Sequence, residues 1–449
     1  MNTPICDFVR SYADSQQLRL HMPGHKGCGA LGIEHLDITE IEGADVLYHA
    51  DGIIKASEAN ASGLFGTALT KYSTEGSSLS IRAMLYLTVL YAKSIGREPR
   101  ILAGRNAHHT FMTAAALLDL HVNWLYPEHW ENLVSCEITP EYLERLLDRE
   151  TKPVAVYLTS PDYLGNVADI AGLSAVCHKH GILLLVDNAH GAYLNFLPEN
   201  RHPIALGADI CCDSAHKTLS VLTGGGYLHI SKNAPELFCK QAEKALSLFA
   251  STSPSYLIMQ SLDACNRYLA EGYAEKLADY IQFVSELKQK LISHGYELLG
   301  NEPLKITIAP KSYGYTGEEL AALLADQGII CEFADPDFIV FMLTPEISES
   351  ELDTLAQVLC SIPRKNVILA KPPMPSKPEQ TCSIREALFA VSKDVNIQDS
   401  LGQTLASTRV SCPPAIPIVV CGERIDEAAI RCFEYYGVEK CQVIENDSL

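Results

Sequence analysis

Two apolar runs of strand length each close on a group that can do chemistry. Gly181-Ile-Leu-Leu-Leu-Val-Asp187 ends in an acid and continues Asn-Ala-His190-Gly191, while Ala208-Asp-Ile-Cys-Cys-Asp-Ser214 leads into Ala-His216-Lys217-Thr218. In an α/β protein this presents an anion and an amine at the carboxyl edge of a parallel sheet, where ligands of open sheets bind. A lysine there can form a Schiff base with an aldehyde. A carboxylate can hold a proton on a pyridine nitrogen so that the ring accepts electrons. The pair therefore suits pyridoxal 5′-phosphate (PLP), with Lys217 and Asp187 in these two roles. Taken singly, Asp187 also reads as a helix cap and Lys217 as a surface charge. The flanking histidines and the downstream Gly224-Gly-Gly226 favour the cofactor.

The cofactor phosphate needs its own cradle. Gly76-Ser77-Ser78 leads into the apolar-periodic stretch Leu79 to Ala92. Small residues opening a helix leave backbone N–H groups and hydroxyls facing an anion, with the helix dipole behind them. The same residues also read as a plain N-cap. Upstream, His21-Met-Pro-Gly-His25-Lys-Gly27 has the four-residue histidine spacing of zinc ligands on a helix. Pro23 and Gly24 break any such helix, so the segment is expected to be a loop reaching toward an active site, with no metal.

From Arg100 onward, strand-like and helix-like segments alternate. Strands are expected at Ile101–Ala103, Val154–Thr159, Ile182–Val186, Ile210–Cys212 and Tyr227–Ile230, with a helix at Ile170–His180. Such alternation predicts βαβ units and a mostly parallel sheet. Ser57 could cap a helix running to Phe65. Ala234–Ile292 reads as helical, broken near Ser253-Pro254. Leu304–Ile308, Ile329–Phe333 and Phe338–Leu343 read as strands of a smaller domain, followed by a helix from Ser348 to Leu359. Past the proline-rich Lys371–Pro378, further helices are expected near Ile384–Val391 and at Asp426–Tyr436. The expected divisions are an N-terminal segment with an active-site loop (1–50), a large cofactor-binding domain (51–250), linker helices with a small α+β domain (251–370) and a C-terminal subdomain (371–449).

The totals narrow the function. With 449 residues the chain can build a large core, and no uninterrupted apolar run is long enough to span a membrane. A net charge of −20 argues against nucleic acid and anionic membrane surfaces and favours encounter with a cationic small molecule. Fifteen cysteines, scattered and without a CxxC pair, read as reduced thiols of a cytoplasmic protein. The start carries neither the basic end nor the apolar core of a signal peptide.

In order along the chain stand His21-Met-Pro-Gly-His-Lys-Gly, Asp45-Val-Leu-Tyr-His, Gly52-Ile-Ile-Lys, Arg105-Asn-Ala-His108 and Asp187-Asn-Ala-His-Gly. They are followed by Ser214-Ala-His-Lys-Thr-Leu, Ser251-Thr-Ser-Pro-Ser-Tyr256 and Pro413-Pro-Ala-Ile-Pro…Gly-Glu423. This series resembles the ornithine/lysine/arginine decarboxylases, fold-type I PLP enzymes, in their short form without an N-terminal wing domain. The resemblance implies an aspartate aminotransferase-like large domain with a mostly parallel sheet, plus a smaller α+β C-terminal domain. It implies a Schiff base at Lys217, Asp187 on the pyridinium, His190 beside it and His108 stacked on the ring. Ser77, Ser78, Ser214 and His216 would hold the phosphate, with His216 also placed for proton transfer. A homodimer or higher homo-oligomer with shared active sites would follow.

The implied reaction is α-decarboxylation of a basic amino acid, arginine first, then lysine or ornithine. A basic side chain needs an acidic partner, for which Glu423 and Asp335 are the candidates. The chain departs from the family pattern at Gly224-Gly-Gly226, where a glutamine and a small hydroxyl residue are usual, and at Leu79, His109 and Ala415. Another fold-type I reaction, such as transamination or a lyase step, is the competing activity. A PLP-binding protein without decarboxylase activity is the competing class.

Overall fold

The computed structural model describes residues 1–148, 152–408, 411–412 and 416–445. Pro413, Pro414 and Ala415 of the closing proline motif lie outside the described residues. The chain forms two compact units, one of residues 1–99, 154–157 and 170–278, the other of 100–153, 158–169 and 279–449.

The main sheet contains β1 (Leu69–Ser73), β2 (Arg100–Gly104), β3 (His121–Leu125), β4 (Ala155–Thr159), β5 (Leu183–Asp187), β6 (Ile210–Asp213) and β7 (Gly226–Ile230). Its seven strands run in the order β1-β7-β6-β5-β4-β2-β3. β2 pairs with β3, and β5 with β6, in parallel; β7 is antiparallel to both its neighbours. All five residues of β5 are buried, as expected for a strand covered on both faces.

In the first unit, α1 (Pro4–Asp14) turns Ile5, Cys6 and Val9 inward, which is why its sequence is amphipathic. α2 (Ile53–Phe65) begins four residues before the expected cap, and Ser57 lies inside it. The capping group is remote. Asp45 accepts from the backbone N–H groups of Gly52 and Ile54, both at 2.9 Å. Ser57 instead joins a buried network, bonding Tyr72 Oη at 2.7 Å and Asp263 Oδ1 at 2.5 Å. The other oxygen of Asp263 accepts from the first free N–H groups of α1, at Ile5 and Cys6, both at 2.9 Å. α3 (Gly76–Ser94) opens at the expected Gly-Ser-Ser. The helical stretch after β7 breaks at Ser253-Pro254 as expected, and again at Glu271-Gly272, where helix Tyr256–Ala270 gives way to Tyr273–His294.

The second unit carries a four-stranded antiparallel sheet of Phe333–Ala334, Ile339–Met342, Lys305–Ile308 and Leu298–Leu299, in that order. The expected strand at Ile329–Phe333 shrinks to Phe333–Ala334. Helix Glu349–Ser361 starts with a capping box in which Ser348 and Glu351 satisfy each other's backbone N–H groups. The strand pair Ser392–Asn396 with Lys440–Ile444, not anticipated, closes the C-terminal part over a core that includes Val340, Ile418, Val419 and Phe433. Among the described residues no helix is long and apolar enough to cross a membrane.

Asp263 thus ties the N-terminal helix to the sheet network. Asp263→Ala would leave the Ile5 and Cys6 N–H groups unsatisfied in a dry environment, while Ser57 keeps Tyr72, at a cost of about 2 kcal/mol. Thermal unfolding should show Tm lowered by about 5 °C. Limited proteolysis should release residues of α1 first; an unchanged Tm would show that water replaces the carboxylate.

Candidate active site

β5 delivers Asp187 to its carboxyl end, fully buried at 2% exposure. In the parallel register Asp187 lies level with Cys212 of β6. Beyond β6 the chain makes one helical turn, Ala215–Thr218, which carries His216 and Lys217. Lys217 Nζ lies 2.9 Å from Nε2 of the buried His190. Acid, amine and imidazole are thereby gathered at one sheet edge in the first unit.

The Asp187 carboxylate takes three donors. Tyr157 Oη donates to Oδ2 at 3.1 Å; the Ala189 N–H (3.2 Å) and the Cys212 thiol (3.6 Å) donate to Oδ1. Burial raises the carboxyl pKa, opposed by the Lys217 charge and by these donors. On the other face of β6, Asp213 is sealed against two imidazoles, His202 at 3.1 Å and His229 at 3.2 Å, and takes the Asn188 amide at 2.7 Å. Burial pushes against its ionisation, but the two histidines hold it well below the usual carboxylate range. Asp213 adjoins Ser214 in sequence and bonds the residue after Asp187, so it braces both ends of the site.

The phosphate candidates also meet. Ser214 Oγ donates to Ser77 Oγ at 2.9 Å, in the first turn of α3. His216 Nδ1 lies 2.9 Å from the Gly225 carbonyl. The glycines that depart from the family pattern have a steric reason. Gly224 has φ +97° and its carbonyl accepts from the Gly76 N–H at 2.7 Å. A Cβ on Gly226 would sit 2.9 Å from the Asp213 carbonyl oxygen and 3.0 Å from Gly76 C. The loop presses flat against the start of α3, where a side chain would push it away. Partly exposed Ser77 and Ser78 at a helix start, with Ser214 and His216 beside them, form a donor set that fits a phosphate. A buried carboxylate and a lysine fit the rest of PLP.

The remaining candidates lie in the second unit. His108 is the N-cap of helix His109–Leu118, its Nδ1 accepting from the Thr110 N–H at 3.3 Å. Glu423 is buried in an ion pair with Arg105 at 2.9 Å and accepts the Val420 N–H at 2.7 Å. The Arg105 guanidinium in turn lies over the Trp124 ring, 5.3 Å from its centroid. Asp335 is 1% exposed and uses Oδ1 to accept the N–H groups of Asp337 (2.8 Å) and Phe338 (2.7 Å). His21 and His25 sit in a loop, as expected, His21 on Tyr12 and His25 on Asp37. Sequence reasoning missed Tyr157, Cys212 and Asp213. A tyrosine in the apolar run Val154–Thr159 was the one visible signal.

The mostly parallel seven-stranded sheet, with a lysine and a buried carboxylate at its edge and a serine-lined helix start, has the α/β architecture of the fold-type I enzymes. The chain belongs to the Orn/Lys/Arg decarboxylase family, whose major-domain pattern matches residues 3–302. It is an amino acid decarboxylase. It is 30% identical to an arginine decarboxylase of Halalkalibacterium halodurans, over 95% of this chain and 91% of that protein. An arginine decarboxylase of Bacillus subtilis is 27% identical over 95% of this chain and 92% of its own length. In fold, the lysine decarboxylase of Francisella novicida superposes with a TM-score of 0.78 at 18% identity, covering 99% of this chain and 81% of that one.

Two outcomes follow from the packing. Gly226→Ala forces a methyl group onto backbone atoms, so it should cost about 1–3 kcal/mol and weaken PLP binding, read by thermal unfolding and cofactor titration. Asp335 is raised by burial from 3.8 to about 7. Between those values the folded protein holds a proton that the unfolded chain lacks, so Asp335 makes stability fall as pH rises through that window. Asp335→Asn keeps the Oδ1 acceptor and removes the charge. Above about pH 7 it should be more stable than the native protein by about 1–2 kcal/mol, with the difference shrinking toward about pH 4. Parallel pH–Tm curves would contradict the burial argument.

Proposed function

We propose that the protein decarboxylates arginine to agmatine with PLP as cofactor, with lysine and ornithine as weaker substrates. The observation that carries this reading is the junction of Lys217, His190 and buried Asp187 at one sheet edge. The choice of arginine is supported by the arginine decarboxylases that match nearly the whole chain.

When bound, PLP supplies a carbonyl for amine condensation and a ring that accepts the electron pair left when carbon dioxide departs. Lys217 is the amine that would hold the cofactor covalently. His190, 2.9 Å away, can take a proton from Lys217 Nζ and return it, so the amine is available as a nucleophile. Asp187 holds negative charge where the ring nitrogen would carry its proton. Ser77, Ser78, Ser214 and His216 would bind the phosphate through N–H, hydroxyl and imidazole groups, and Gly76, its N–H held by the Gly224 carbonyl, would set the helix start beside them. His108 would cover the ring, and its cap hydrogen bond orients the imidazole. Glu423 and Asp335 remain the candidate acidic partners of the substrate side chain. Each would act through an oxygen not already committed to Arg105 or to the backbone.

A homo-oligomer is part of this reading. Leu18, Leu20, Met22 and Leu31 are 67–82% exposed in the loop after α1, an apolar surface suited to a second copy. A reducing compartment is supported by the scatter of the cysteines along the chain, without a CxxC pair.

Purified protein with PLP, given arginine, lysine and ornithine separately, should form amine fastest from arginine. Lys217→Ala should lower the rate by at least about a thousandfold. Release of a 2-oxo acid in place of carbon dioxide would move the assignment to transamination.

A further inference from the structure

Tyr157 and Cys212 come from β4 and β6, the two strands that flank β5, and both are 0% exposed. One reaches each oxygen of the Asp187 carboxylate, at 3.1 and 3.6 Å. Both donors are closed to solvent within the sheet. Burial and the Asp187 charge keep both groups protonated, the phenol and the thiol each raised well above their ordinary values. They are therefore donors at every working pH.

We propose that Tyr157, assisted by the Cys212 thiol, keeps Asp187 ionised against the cofactor ring and is a positioning residue for the decarboxylation. The inference rests on the reading that Asp187 pairs with the pyridine nitrogen. Burial alone drives Asp187 toward its neutral form, and a neutral acid would leave the ring nitrogen without its proton. Donors stabilise the carboxylate relative to its conjugate acid, so the proton stays on the ring and the ring remains an electron sink. Two donors on opposite oxygens also fix the carboxylate plane. Nothing in this arrangement touches the substrate, so its loss should appear in kcat and not in KM.

The test uses holoenzyme reconstituted with PLP labelled with 15N in the ring, whose resonance reports protonation of that nitrogen. Tyr157→Phe should move the resonance toward the neutral ring throughout the range from about pH 6 to about pH 9, where the native signal stays protonated. Its kcat should fall about tenfold with KM changed by less than about twofold. Cys212→Ala should move the resonance the same way by less, and Cys212→Ser, which restores a donor, should reverse it. A native resonance in Tyr157→Phe and Cys212→Ala, whatever their Tm, overturns the inference and leaves the two residues as packing. Should Tyr157→Phe fail to fold, the Cys212→Ala and Cys212→Ser pair decides alone. Asp187→Ala separates this inference from the reading beneath it. A native resonance there removes Asp187 from the ring nitrogen altogether, whereas a shift confined to Asp187→Ala overturns only the role of Tyr157 and Cys212.

Discussion

A carboxylate shut away from water at the end of a sheet strand is costly unless its charge is shared. The first unit holds two, on adjacent strands, and resolves them in opposite ways. Asp213 is compensated from within: two imidazoles and an amide surround it, and its charge is spent holding His202, His229 and Asn188 in place. Asp187 is compensated only in part, by neutral donors and the Lys217 charge, and its pKa stays raised. That shortfall leaves a negative site able to accept a cationic partner, which is what a protonated ring would be. Side-chain alternation along β6 makes the contrast possible. Cys212 faces Asp187, and its neighbour Asp213 faces the opposite side of the sheet.

The proposed phosphate end obeys a different constraint, that of close approach. Gly224 and Gly226 let the loop after Lys217 lie against the start of α3, with the Gly76 N–H donating to Gly224. Hydroxyls given up in the loop are thus exchanged for proximity: the serines of α3 and Ser214 come within one hydrogen bond of each other. A helix start with few side chains over it is a good anion site because its N–H groups remain approachable. The glycines therefore do not signal decay of the site.

Where the chemistry depends on order along the chain, the sequence was readable. Asp187 ends one apolar run and Lys217 follows another, and parallel pairing of those runs brings them to the same edge. The start of α3 and the core strands were legible for the same local reason. What depends on lateral neighbours was not. Tyr157 reaches Asp187 only because β4 lies beside β5, and strand order has no local signature. Ser57 has the composition of a cap, yet Asp45 performs the capping from a distant loop. Ile329–Phe333 has strand composition, but only its last residue finds a partner strand. Propensity describes what a segment tolerates, and pairing decides.

Recognition of a basic side chain poses the remaining physical problem. Glu423 has its charge matched by Arg105, and drawing it toward a substrate would strand a buried guanidinium. Asp335 is the opposite case. It has no cation within bonding distance among the described residues, and burial holds it near neutrality at about 7. A cation arriving at such a carboxyl would lower its pKa and be held more tightly as the proton leaves. A raised carboxyl is therefore a better receptor for a guanidinium than one already paired, provided the cation can reach its free oxygen. The net charge of −20 acts earlier, drawing cationic amino acids toward the surface before any single carboxylate distinguishes them.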